Sequence, residues 1–117
     1  MNKTILLQAG IYYVEGVERF SGYAAMYEKY LKLFPTDPTF AALKQAMADE
    51  NYDLAFRNAH TLKGLAGNIS LHTLAALDSE LVEALRAEKD IPQAKRLLPQ
   101  VEQAYHTTVQ AIRDAAE

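Results

Sequence analysis

The sequence predicts an all-α fold: an antiparallel up-down four-helix bundle with extra short N-terminal helical segments. Three observations carry this. Apolar residues recur at helical spacing, as in Leu71, Leu74, Leu77, Leu81 and Leu85. Strand signals are weak, because β-branched residues are sparse and alternating apolar–polar runs are missing. The helical segments are separated by short breaks, and short connections between long amphipathic helices favour antiparallel neighbours.

Met1 to Gly10 holds a short apolar stretch, Ile5-Leu6-Leu7, too short for a signal-peptide core and without a convincing cleavage site. A short helix is expected from Val14 to Phe20, with Ser21-Gly22 as its break. Tyr23, Met26, Tyr27, Tyr30, Leu31 and Phe34 then recur at helical spacing until Pro35. In Thr36-Asp37-Pro38, Asp37 is suited to cap a new helix and Pro38 to its first position. That helix runs to about Ala48 through Phe40, Leu43 and Met47. Asp49-Glu50-Asn51 is a polar turn. The following helix carries Leu54, Leu62, Leu65 and Ile69, with a break near Ser70. After the Leu71–Leu85 stripe, Asp90-Ile91-Pro92 repeats the cap-and-proline signal. A long final helix follows through Ala94, Leu98, Val101, Tyr105, Thr108 and Ile112.

At 117 residues the chain is expected to be a single domain spanning 1–117. Half of it is hydrophobic and 23% charged, which argues against disorder. The net charge of −3 comes without a Lys/Arg cluster, so nucleic acid is not an expected partner. Apolar runs fall far short of the roughly 20 residues of a membrane-spanning helix. There are no cysteines, which excludes disulfides and thiolate zinc sites. The expectation is a cytoplasmic, soluble protein.

The helix from Leu54 to Ile69 is the informative one. Helical residues advance by about 100° each. With Leu54 at zero, Leu54, Leu65, Ile69, Leu62, Ala55, Ala66 and Ala59 fall within about 0–140°, an arc centred near 75° that faces the core. Asn58 falls inside it, at about 40°, without an explanation. His60 falls at about 240°, roughly opposite, so it points to solvent from mid-helix. Gly64 lies beside it at about 280° and Gly67 at about 220°. Each interior helix glycine costs about 1 kcal/mol relative to alanine. What glycine supplies is bare backbone that another protein can approach closely. Lys63 lies one turn from His60. Phe56, at about 200°, stands on the outer side, with Arg57 on the flank. A nucleophile, a cation, two bare patches and an apolar contact thus share one face: a docking surface with chemistry in it.

That chemistry suits phosphoryl transfer. Neutral imidazole is a good nucleophile near neutral pH. An adjacent ammonium stabilises charge spread over the equatorial phosphoryl oxygens. No Walker motif or other phosphate-cradling Gly-rich loop is present, so the phosphoryl group must arrive on another protein. Magnesium, if needed, would be bound there.

At these residues a family resemblance becomes specific. Ala59-His60-Thr61-Leu62-Lys63-Gly64-Leu65-Ala66-Gly67-Asn68 resembles the His-x-x-Lys-Gly signature of histidine-containing phosphotransfer (HPt) domains of two-component phosphorelays. Gly10-Ile11, the stretch Glu15–Gly22 and the Leu-rich helix bearing Glu80 resemble the family too. The resemblance implies a four-helix bundle, His60 as phosphoacceptor, Lys63 as its electrostatic partner, and Gly64 as the place where a receiver domain packs close. It implies response-regulator receiver domains or hybrid sensor histidine kinases as partners of a monomeric phosphocarrier with no ATP-binding domain and no cofactor of its own. Ser70 stands where many members have glycine.

Other readings have less behind them. His72 and His106 lack such context and read as surface or boundary residues. Glu102 and His106, four apart, form no evident metal set. A di-metal bundle needs Glu-x-x-His pairs, and none occurs. A bundle that had lost phosphotransfer would be expected to lack His60 or Lys63. A kinase dimerisation hairpin would need an attached ATP-binding domain, for which the chain has no room.

Overall fold

Polar caps start most of the helices. In the computed structural model, which describes residues 1–116, these are α1 (Lys3–Gln8), α2 (Tyr13–Arg19), α3 (Ala24–Leu33), α4 (Thr39–Ala48), α5 (Tyr52–Asn68), α6 (His72–Leu85) and α7 (Ile91–Ala115). Asn2 accepts the Thr4 and Ile5 amides, Asp37 the Thr39 amide at 2.8 Å, Asn51 that of Leu54 and Asp90 that of Gln93 at 3.1 Å. Each such cap typically contributes about 1 kcal/mol. The expected Asp37 and Asp90 signals are therefore real. After α3 the chain tightens into a 3-10 turn, Phe34–Thr36, that contains Pro35.

The bundle consists of α4 to α7. α5 packs between α4 and α6, α6 also packs on α7, and α7 returns to touch α4. The shared core includes Phe40, Leu43 and Met47, then Ala55, Ala59, Leu62 and Ala66, then Leu74, Leu81, Val82 and Leu85, and finally Leu97, Val101 and Ile112. The alanines of α5 let its neighbours approach closely.

The N-terminal third closes one end of the bundle. Ile5-Leu6-Leu7, left without an assignment above, lies in α1, and its buried Leu6 helps dock α1 on α7. Tyr27 of α3 is fully buried, and its hydroxyl donates to the Ile69 carbonyl at 2.8 Å. Ile11 and Leu71 form an isolated antiparallel bridge, flanked by Tyr12 N–H to Ser70 O and His72 N–H to Gly10 O.

Several expectations need correction. Leu54 is 40% exposed rather than in the core. The buried stripe of α5 is Ala55, Ala59, Leu62, Ala66 and Ile69, centred near about 100° rather than 75°. Leu65 is only partly buried. In α6 Leu77 is half-buried, whereas its neighbour Asp78 is fully buried. Tyr23, Met26 and Tyr30 are exposed, because α3 docks through Tyr27 and Leu31. Among the described residues no helix is long and apolar enough to cross a membrane.

Candidate functional site

α5 is held on two sides by α4 and α6, which leaves its third side open. His60 lies on that open side, exposed, near mid-helix. No hydrogen bond fixes its imidazole among the described residues; its ring contact is with Phe56, at a centroid distance of 6.1 Å. One turn on, Lys63 and Gly64 are exposed, and Gly67 is half-exposed. A Cβ built at Gly64 or Gly67 would meet nothing within 4 Å. The chain's own packing therefore does not require glycine at either position.

Phe56, expected on the exposed side, is half-buried and packs against the core. Its outer surface is covered by the Arg86 guanidinium, 5.0 Å from the ring centroid. Arg86 belongs to this site, and the sequence reading missed it. It sits just past the end of α6, and only the register of the α5–α6 hairpin brings it beside Phe56. Arg86 also pairs with Glu83 at 3.2 Å. That bond and its charge, with Lys63 and Lys89 further off, hold the Glu83 carboxyl below the usual carboxylate range. Arg57 is turned back along α5 to Asp53, so its charge is partly engaged.

Lys63 makes no ion pair among the described residues. Its charge is felt on α6, at Asp78 and Glu83. The ammonium thus acts towards α6, and its stem leaves α5 one turn from His60. The face presents an unrestrained imidazole, flanking cations and bare backbone. It can bring an incoming phosphoryl group close to a nitrogen nucleophile and neutralise its oxygens.

The remaining histidines lie elsewhere. His72 stacks on Tyr12 at 4.1 Å and pairs with Glu15, a contact that lowers the Glu15 carboxyl. His106 lies 3.5 Å from Glu102, which is also bound by Lys44 at 2.6 Å. No cluster able to hold a metal is found among the described residues.

Comparison with known proteins agrees with this geometry. No curated protein and no solved structure matches the chain significantly. A family model described as Hpt domain matches residues 27–115, which spans α4 to α7 and the whole open face of α5. The chain therefore belongs to the Hpt domain family, the histidine phosphotransfer modules of two-component phosphorelays.

Proposed function

We propose that this chain accepts a phosphoryl group on His60 from the aspartyl phosphate of one receiver domain and passes it to the aspartate of another. The observation that carries the reading is the single open face of α5, where exposed His60 has Lys63 and unobstructed Gly64 one turn away. A ring nitrogen of neutral His60 attacks phosphorus; the P–N bond forms as the acyl P–O bond breaks. The receiver's carboxylate leaves with the electron pair, and the proton on the other ring nitrogen stays. The two negative charges of the acyl phosphate end as one on the carboxylate and a net one on the phosphoimidazolium. Onward transfer reverses these steps on a second receiver.

Lys63 neutralises the phosphoryl oxygens as they pass through the transition state. Phe56, Arg57, Gly64 and Gly67 form the receiver's footing, with Arg86 completing it. The module works as one domain and as a monomer in the cytoplasm, without nucleic acid, membrane or cofactor of its own; magnesium belongs to the receiver. Response regulators and hybrid sensor kinases supply such receivers.

The test is a relay in solution. A receiver charged with radiolabelled phosphate is mixed with this chain, and a second, uncharged receiver is then added. Label is expected to appear on this chain and then on the second receiver. With His60→Gln neither should occur. Label passing through His60→Gln would overturn the proposal.

A further inference from the structure

Asp78 occupies a core position of α6, one turn after Leu74, and is 0% exposed. Neither carboxyl oxygen has a hydrogen-bond partner among the described residues. An ionised carboxylate in such a place is costly, and the group takes up a proton instead. Burial pushes Asp78 up to about 7, and the one opposing influence is the charge of Lys63.

The hairpin register explains that pairing. At the turn, the Leu71 amide bonds the Ala66 carbonyl; at the open end, Arg86 covers Phe56. By that register Asp78 comes level with the turn of α5 that runs from Thr61 to Lys63. The other charges near it are committed or turned outward. On α5, His60 is exposed and Arg57 is engaged by Asp53. On α6, Glu80 is exposed and Glu83 is held by Arg86. The buried residues of α4 and α7 are all uncharged. Lys63 is the cation at hand.

We infer that Asp78 is a positioning residue for Lys63: ionised, it draws the ammonium inward, and protonated, it releases Lys63 to the phosphoryl group at His60. This rests on the reading of His60 as phosphoacceptor. A phosphoryl group on His60 and a carboxylate at Asp78 compete for one ammonium. Such coupling is reciprocal. A proton on Asp78 favours phosphorylation, and phosphorylation tightens the hold of Asp78 on its proton. The module would thus carry charge most readily on the acid side of neutrality.

The experiment measures single-turnover transfer from a phosphorylated receiver into the wild-type chain and into Asp78→Asn, between about pH 6 and pH 8.5. The ratio of the two rates cancels the pH effects common to both proteins, the receiver's chemistry included. The variant-to-wild-type ratio is expected to rise on the order of tenfold with pH, and to stay flat when both proteins carry Lys63→Ala. A ratio that is constant in the Lys63 background and in its absence alike overturns the inference while transfer to His60 stands. Transfer in neither protein at any pH overturns the phosphoacceptor reading and the inference with it. Carbon-13 NMR of the Asp78 carboxyl in the wild-type chain serves should the variant fold poorly. Its titration midpoint should move upward on phosphorylation, and an unmoved midpoint contradicts the inference.

Discussion

On the proposed function, Gly64 would separate what α5 needs to fold from what it needs to work. Because a Cβ there would meet nothing within 4 Å and the position is exposed, Gly64→Gln should keep the fold and raise stability by up to about 1 kcal/mol. The same side chain stands one turn from the imidazole, in the path of an approaching receiver, and should slow transfer sharply. Melting temperature and transfer rate measured on one variant check both halves. Lys63→Ala should leave the fold intact and slow transfer about a hundredfold, measured in single turnovers, since it removes charge stabilisation from the transition state. His60, Lys63 and the glycines were legible in the sequence because they share one short helical segment, where position on the wheel is position in space. Arg86 was not, since its place over Phe56 depends on how two helices align. Asp78 was not legible either: it sits between Leu77 and Leu81, and an apolar stripe says nothing about a polar residue one position off it.

At the scale of elements, breaks were read more accurately than faces. Asp37 and Asp90 announce their helices through local hydrogen bonds, which need no knowledge of the fold. The facing of α5 was misjudged by about 25°. Leu54 and Leu65 were counted in the core arc beside the alanines, yet Leu54 is exposed and Leu65 only partly buried, while Ala55, Ala59, Leu62, Ala66 and Ile69 make the contact stripe. Ser70 is a further element-level feature. It ends α5 with φ +60°, a left-handed conformation that disfavours side chains. Its buried Oγ lies near enough to help keep Glu15 ionised but makes no hydrogen bond of good geometry. Ser70→Gly should therefore stabilise the chain by about 1 kcal/mol, read as a higher urea midpoint at unchanged slope. Ser70 is buried beyond the end of α5, more than two helical turns from the exposed His60, and transfer rates should not change.

For the molecule as a whole, Asp78 makes stability depend on pH in an unusual direction. Its carboxyl ionises near 3.8 in an unfolded chain and at about 7 in the fold. Between those values the unfolded state has lost a proton that the fold retains, so the Asp78 contribution to stability falls as pH rises and levels off above about 7. The full change is on the order of 4 kcal/mol. Urea denaturation across that range should show the decline in the wild type, and Asp78→Asn should largely remove it. That burden sits in the same hairpin that bears His60, and among the described residues Asp78 is the one buried carboxyl. The central claim, that this hairpin exists to carry a phosphoryl group on His60, is tested most directly by phosphorus-31 NMR of the chain after charging by a phosphorylated receiver. A single phosphoramidate resonance is expected, stable in alkali, lost in acid and absent from His60→Gln. A chain that gains no phosphorus signal from any phosphorylated receiver, or one that keeps its signal in His60→Gln, would contradict it.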